Sequence, residues 1–157
     1  MKLRFVTCND IVSSLIRDRE GEMARWVGFT PSHVEIVVKE GYLGAHDDGG
    51  VMIRPVGYDK AALTHELFGM IPLPQETRAE AWARSKIGAS YDWRAIVDYL
   101  LPDNFHEKND FICSALCTGA LDNGGAFPYP LALPWHLVSP AVLLFWVSGR
   151  TNIKSAR

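Results

Sequence analysis

The chain has 157 residues, of which 48% are hydrophobic and 22% charged, and its formal net charge is −2. A chain of this length can bury roughly 70% of its unfolded surface in one domain, and its composition excludes a disordered protein. Acidic and basic residues are evenly spread, which argues against a nucleic-acid partner. Apolar runs such as residues 141–147 are too short to span a bilayer. We therefore expect one domain over residues 1–157 without a transmembrane segment.

The N-terminal residues and the number of cysteines predict the cellular compartment of the protein. Residues 1–7 lack the long apolar core and small-residue cleavage site of a signal peptide. The chain has 3 cysteines, an odd number, and Cys113 and Cys117 are too close in sequence to link distant parts of a fold. We expect a reduced, cytoplasmic protein whose thiols serve packing or chemistry.

The predicted elements of the first half are mainly strands. Strands are expected at 2–7, 32–38, 42–46 and 51–54, with a further strand near 66–71. A helix is expected to begin at Asn9 or Asp10 and to end near Gly21. Turn residues separate the three strands after residue 31, which predicts an antiparallel meander.

The second half is predicted to be helical. Helices are expected at 75–87, with an apolar face at positions 79, 82, 83 and 87, at 92–100 and at 111–121. A last helix is expected to start at Ser139 and Pro140, with the serine as N-cap. The chain is thus of the α+β class.

The strand at 32–38 places polar side chains opposite an apolar face. Positions 34, 36 and 38 are apolar, so His33 and Glu35 share the other face of the strand. An imidazole that serves as a base needs a partner to fix its tautomer, and Glu35 is within reach. The alternative interpretation is a polar surface edge of a half-buried sheet.

The hairpin after this strand decides which other residue could orient His33. A three-residue loop ending at Gly41 places Asp47 opposite His33, and the glycine favours this loop. In the alternative two-residue loop, we expect Asp48 opposite His33 and His46 opposite Glu35. The third member of a site with His33 therefore stays open between Glu35, Asp47, Asp48 and His46.

Two cysteines lie one turn apart in the predicted helix at 111–121. With Asp110 as N-cap, Cys113 is the third helical residue, where unpaired backbone N–H groups and the helix dipole favour a thiolate. Cys117 lies one turn further, where packing dominates. Cys113 is the candidate nucleophile and Cys117 a candidate core residue; the alternative is that both are small core residues.

The sequence gives no clear metal or cofactor motif. His33, His46 and Cys113 could in principle bind zinc, but no CxxC, HExxH or comparable close pair is present. A phosphate-binding loop and a GxGxxG sequence are also absent. We predict no metal and no cofactor.

Five segments in one order carry a family resemblance. They are SHVEIV at 32–37, GGV at 49–51, IGASYD at 87–92, FICSAL at 111–116 and VSP at 138–140. Together they resemble the circularly permuted papain-like cysteine hydrolases, the YiiX-like branch of the NlpC superfamily, which includes phage-borne forms. The histidine strand precedes the cysteine helix, as in the permuted order.

The resemblance implies a permuted papain-like (NlpC-type) fold, in which an antiparallel meander sheet packs against a helix that bears the nucleophilic Cys113. It implies that His33 is the general base and later the acid. Where a glutamate is expected on the strand after the histidine strand, this sequence has Gly44. Glu35 or an aspartate of the 47–48 turn then takes that role, or the triad is a dyad. Tyr91 is a candidate substrate-binding residue.

The expected activity is hydrolysis of an amide bond in a small peptide, with cell-wall peptidoglycan as the favoured substrate by kinship. An acyltransferase or thioesterase acting on lipid acyl groups is a second hypothesis, with residues 131–147 as the lining of an acyl pocket. A non-catalytic binding module with a degenerate site is the third. A phage or prophage origin is compatible with the pattern, and the sequence leaves the oligomeric state open.

Overall fold

The computed structural model describes residues 1–9, 14, 29–100, 110–129, 131, 133–150 and 154–155. The strands are β1 (Lys2–Cys8), β2 (His33–Val38), β3 (Gly41–His46), β4 (Gly50–Arg54), β5 (Leu63–Met70) and β6 (Lys154–Ser155). The helices are α1 (Glu76–Arg84), α2 (Trp93–Leu100), α3 (Cys113–Asn123) and α4 (Pro140–Ser148), with a 3-10 turn at Trp135–Leu137. This arrangement confirms the predicted α+β class. The helix predicted between Asn9 or Asp10 and Gly21 lies outside the described residues.

The six strands form one antiparallel sheet in the order β4-β3-β2-β1-β5-β6. Strands β2, β3 and β4 are neighbours in sequence and in space, which confirms the predicted meander. The first strand of the chain lies between β2 and β5. The polar and charged side chains of β1 therefore lie beside those of two strands that follow much later in the sequence.

Strand β2 has one face that is wholly apolar and buried, as its alternating pattern predicted. Val34, Ile36 and Val38 belong to the hydrophobic core, together with Leu3 and Phe5 of β1. Helix α3 contacts β2 and β3 and contributes Cys113, Leu116 and Cys117 to the same core. Burial of this apolar surface is the main force that holds α3 against the sheet.

The turn between β2 and β3 is the two-residue alternative and not the favoured three-residue loop. The loop has two residues, at positions 39–40, and Gly41 pairs with Val38 as the first residue of β3. A side chain at Gly41 would collide with the backbone of Arg54, since a Cβ there would lie 2.0 Å from its carbonyl oxygen. Gly41 is thus required both by its φ of +148°, which other residues rarely adopt, and by a close strand neighbour.

This register corrects both predicted alignments. Ile36 pairs with Leu43, and the same alignment, continued along the strands, sets Gly44 beside Glu35 and His46 beside His33. Asp47 and Asp48 are therefore not opposite His33; both lie in the turn after β3. A shift of one residue would have moved every side chain of β3 to the other face.

The helices follow the predicted segments with different ends. Helix α1 ends at Arg84, and the predicted face residue Ile87 lies beyond it and is exposed, whereas Ala79 and Ala83 are fully buried. Strand β5 begins at Leu63, earlier than predicted. Helix α4 begins as predicted: the Ser139 hydroxyl accepts a hydrogen bond from the Val142 N–H at 3.2 Å.

Helix α3 begins later than predicted. Its first helical residue is Cys113, and its N-cap is Ile112, which has an extended backbone. The predicted cap Asp110 and the predicted first residues at 111–112 are outside the helix because Phe111 pairs with another segment, as described below. Among the helices described here, none has both the length and the apolar character needed to cross a membrane.

Candidate active site

Backbone pairing fixes the approach of the chain to Cys113. Phe111 forms a parallel bridge with Tyr91: its N–H donates to the Ser90 carbonyl, and its own carbonyl accepts from the Asp92 N–H, both at 3.1 Å. Residues just before this bridge pair in turn with Val51 of β4, through the N–H of Gly88 and the carbonyl of Ala89, both at 2.9 Å. The start of α3 is therefore tied to the end of the sheet at which β2 and β4 begin.

Gly50 permits this connection. Its φ is +74°, and a Cβ at this position would lie 2.2 Å from the Ala89 carbonyl oxygen. Any side chain would push the 88–92 segment away from β4, and with it the segment that leads into α3. Of the glycine pair noted in the sequence, Gly50 is thus explained by a close backbone contact.

Cys113 lies at the first position of α3, not at the third as predicted. Its side chain is buried, with 2% of the residue exposed. The first N–H groups of an α-helix have no partner within the helix, so they and the helix dipole favour negative charge at this end. The cause predicted for an activated thiol is therefore retained, although the helix begins two residues later than expected.

The imidazole of His33, the first residue of β2, interacts directly with the Cys113 side chain. Burial alone would lower the pKa of His33, but a charge interaction and a hydrogen bond with Cys113 and the charge of Glu35 raise this pKa to about 10. An imidazole next to a cysteine side chain is the arrangement from which nucleophilic cysteines are built. The structure thus brings together the two residues that the sequence singled out.

Glu35 lies on the same face of β2 as His33 and is completely buried. Its Oε1 is 3.6 Å from His33 Nε2 and accepts a hydrogen bond from the Tyr58 hydroxyl at 2.9 Å. Its Oε2 accepts a hydrogen bond from Arg4 at 2.8 Å. Burial alone would raise the pKa of Glu35, but His33 and Arg4 lower it to about 2, so the carboxylate is charged beside the imidazole.

Arg4 is the centre of a buried ion cluster behind Glu35. It is only 1% exposed, and besides Glu35 it binds Asp59 and Glu66, with Nε–Oε2 at 2.8 Å for the latter. Its guanidinium also lies over the Tyr42 ring, 4.2 Å from the ring centre. These carboxylates raise the pKa of Arg4, which remains charged. A buried charge is tolerated when it is paired and hydrogen-bonded in this way.

His46 completes the polar group next to His33. The centres of the two imidazole rings are 5.1 Å apart, and His46 Nε2 is 3.7 Å from Glu35 Oε1. Burial and the positive charge of His33 lower the pKa of His46 to about 3, so this ring is neutral. Gly44 lies between these side chains: a Cβ there would be 3.2 Å from both Glu35 Cγ and His46 Nε2. The glycine thus leaves space for Glu35 where the family resemblance would place a glutamate.

The other predicted site residues lie further from this group or have other partners. Asp48 is exposed and paired with Arg54, and Asp47 is also exposed, so Glu35 and His46 are the two candidates that adjoin His33. Tyr91 is half-buried, with its ring edge-on to Trp93 at 5.2 Å between ring centres. Its backbone bridge to Phe111 gives it a structural role, and its contact with a substrate remains a prediction.

A small apolar pocket adjoins Cys113. Its lining includes Ile96, Ile112, Val138 and Pro140, and its empty space, counted with the open solvent at its mouth, is about 300 Å³. Among the polar residues at its rim are Ser139, which caps α4, and His136. Because this lining is mainly apolar, we expect a substrate group that occupies the pocket beside the Cys113 sulfur to be apolar.

Sequence reasoning missed three residues of the site: Arg4, Tyr58 and Asp59. Arg4 offers a partial signal, because it is a charged residue between Leu3 and Phe5 in a strand that otherwise reads as buried. Tyr58 and Asp59 lie in the turn between β4 and β5, a segment without a clear pattern. Their role depends on pairings across 23 and 55 residues of chain, which spacing alone does not reveal.

The chemistry available at this group is that of a nucleophilic thiol with an adjacent acid–base residue. Cys113 supplies the sulfur, His33 a proton acceptor and donor, and Glu35 a buried negative charge beside the imidazole. No protein-family model matches this chain, and no curated protein sequence matches it either.

Proposed function

We propose that this chain is a cysteine hydrolase that cleaves an amide bond through a thiol acyl-enzyme. Cys113 is the nucleophile, His33 the general base and then the acid, and Glu35 the residue that orients the imidazole. The observation that carries this proposal is the contact between the Cys113 thiol, at the first position of α3, and His33. It also argues against a non-catalytic module with a degenerate site.

The proposed reaction uses one proton carrier. His33 holds the proton that it shares with the Cys113 thiol, and the sulfur attacks the substrate carbonyl carbon, whose oxygen becomes negatively charged. The backbone N–H of Cys113 at the helix start stabilises this oxyanion. The intermediate collapses as the amine leaves with the proton from His33. Water then attacks the thioester, His33 accepts its proton, and the acid product leaves with the thiol restored.

Glu35 supports this cycle by its position. Its carboxylate lies on the Nε2 side of His33, which leaves Nδ1 as the nitrogen for Cys113. A negative charge there stabilises the imidazolium that forms when the thiol gives up its proton. The hydrogen bonds from Arg4 and Tyr58 hold the carboxylate in place while His33 changes charge.

The fold and substrate class rest on the resemblance to permuted papain-like hydrolases of the NlpC superfamily. A histidine strand that precedes the cysteine helix, and a meander sheet packed on that helix, support this assignment. Peptide bonds of the bacterial cell wall are the favoured substrate.

A second candidate function is supported by the pocket beside Cys113. Its apolar lining suits an acyl chain, as in a thioesterase or acyltransferase. Its small volume favours a short chain or an apolar side chain of a peptide over a long lipid tail. Purified protein tested on muropeptides and on acyl thioesters of increasing chain length separates these candidates.

Alkylation by iodoacetamide tests the proposed mechanism without knowledge of the substrate. We expect Cys113 to react near neutral pH much faster than Cys8 or Cys117, as measured by peptide mass spectrometry. His33→Ala should slow this reaction, whereas the control His65→Ala, which removes an exposed histidine of β5, should not. Equal and slow labelling of all three cysteines would contradict an activated thiol.

A further inference from the structure

Two buried nitrogens near the proposed catalytic pair have no hydrogen-bond partner. They are Nε2 of His33 and Nε2 of His46. His46 is only 6% exposed, so solvent does not explain its unpaired atom. Unpaired buried polar atoms are rare in native proteins and often mark the place of a water or an ion.

Both nitrogens face the same carboxylate. Glu35 Oε1 is 3.6 Å from His33 Nε2 and 3.7 Å from His46 Nε2, and the three atoms lie within 4.8 Å of one another. These distances are too long for hydrogen bonds. In a tetrahedral zinc site with bonds of about 2.0–2.1 Å, ligand atoms are about 3.3 Å apart, so small side-chain movements would bring all three to one ion.

We propose that His33, Glu35 and His46 form a binding site for a divalent transition-metal ion, with zinc as the best match. Two imidazoles and one carboxylate are ligands that zinc accepts, with a fourth position left for water or a substrate group; His33 releases its Nε2 proton to solvent when the ion binds. The Tyr58 hydroxyl and Arg4 bind Glu35 and serve as outer partners that orient the carboxylate. The close-spaced motif sought in the sequence is absent because the ligands come from two adjacent strands.

Gly44 provides the space for the ion. A Cβ on this residue would lie 3.2 Å from His46 Nε2, 3.4 Å from His33 Nε2 and 3.2 Å from Glu35 Cγ. The volume that any other residue would fill is therefore bordered by all three ligands. Its backbone φ is not in the left-handed region, so alanine can be introduced there without backbone strain.

If the proposed function holds, metal binding inhibits hydrolysis, because His33 belongs to both the metal site and the catalytic pair. An imidazole that holds a metal through Nε2 keeps its one proton on Nδ1, the nitrogen that the proposed mechanism assigns to Cys113. It has no free nitrogen to accept the thiol proton, so the first step of the reaction is blocked. Bound metal thus stops the hydrolase by occupying its base.

Direct titration of the metal-depleted full-length protein with zinc chloride tests the site. We expect one zinc ion per chain by calorimetry, and cobalt(II) spectra without the charge-transfer bands of a thiolate ligand. His46→Ala and Gly44→Ala should each weaken zinc binding by at least about 100-fold, more than the loss of an outer partner costs. The controls His65→Ala and Cys113→Ser should bind zinc like the parent chain.

Three results would overturn the proposed metal site. They are the absence of stoichiometric zinc binding, a zinc affinity of His46→Ala and Gly44→Ala equal to that of the parent chain, and loss of zinc binding in Cys113→Ser. Circular dichroism checks that each variant is folded. If His46→Ala is not folded, the zinc affinity of Gly44→Ala and the cobalt spectrum of the parent chain still test the metal site. The failure of the metal site is distinguishable from that of the hydrolase. Fast Cys113 labelling in metal-free protein reports the hydrolase alone, and zinc stoichiometry reports the metal site alone.

Discussion

Cys113 and Cys117 are one turn apart on the same helix, and both are buried, but their surroundings differ. Cys113 is the first residue of α3 and lies beside His33 and the buried charges behind it. Cys117 lies within the core, where its thiol donates a hydrogen bond to the Val34 carbonyl at 3.7 Å, and burial raises its pKa well above the ordinary value. The two thiols thus share burial, but of the two Cys113 has the acid–base neighbour and the helix start that are typical of reactive cysteines.

The largest effect is expected from Cys113→Ala. This change removes the nucleophile, so hydrolysis and rapid alkylation should both fall to background, as measured by substrate turnover and adduct mass. The matched variant Cys117→Ala should keep both. Turnover that survives in Cys113→Ala would reverse the roles assigned to the two thiols.

The next largest effect is expected on the alkylation rate of Cys113 when its partner His33 is replaced. His33→Gln keeps a polar side chain but cannot take a proton, so alkylation of metal-free protein near neutral pH should slow by roughly 100-fold or more. Rates are measured with limiting iodoacetamide, and His65→Gln is the control. An unchanged rate would mean that the helix end alone activates the thiol.

Loss of the buried cation should affect stability more than a surface change. Arg4→Met leaves Glu35 and Asp59 buried without their countercharge and should lower the free energy of unfolding by about 3–5 kcal/mol. The control Arg54→Met breaks an ion pair with the exposed Asp48 and should cost about 0–1 kcal/mol. Denaturant titration measures both, and equal costs would show that the cluster around Arg4 is not needed for stability.

The smallest effect is expected for Cys117 and depends on pH. Near neutral pH, Cys117→Ala should cost about 1 kcal/mol, since it removes a small buried group. In the unfolded chain this thiol ionises near its ordinary pKa of 9.0, whereas the folded state keeps it protonated. The parent chain should therefore lose about 1.4 kcal/mol per pH unit from this group above about pH 9, and Cys117→Ala should not.

Unfolding measured between pH 8 and 10.5 checks this difference. Cys8→Ala is the control, because Cys8 is only half-buried. Parallel curves for the parent chain and Cys117→Ala would mean that this thiol ionises equally in the folded and unfolded states.

Much of this arrangement could be read from local sequence. The alternation of Val34, Ile36 and Val38 predicts the buried face of β2, and Ser139 with Pro140 predicts the start of α4, because both signals lie within a few residues. His33 and Cys113 were also singled out, and the structure places them in contact.

The predictions that were wrong concern features that depend on contacts between distant segments of the chain. Helix α3 begins at Cys113 because Phe111 is held by residues 90–92, which no cap preference of Asp110 can reveal. The predicted β2–β3 register was wrong because Gly41, despite its positive φ, pairs with Val38 as the first residue of β3 and lies against Arg54 of β4. Glu35 was predicted as a partner of His33, with a surface edge as the alternative, and only the pairing of β1 with β2 shows that Arg4 compensates its burial.

The position of β1 between β2 and β5 bears on how the protein emerges from the ribosome. Strands β1 to β5 are complete at Met70, whereas Cys113 of α3 and the two residues of β6 come later in the chain. A nascent chain therefore contains His33, Glu35 and His46 before it contains Cys113. Under the proposed function, hydrolysis can begin only after α3 has been synthesised.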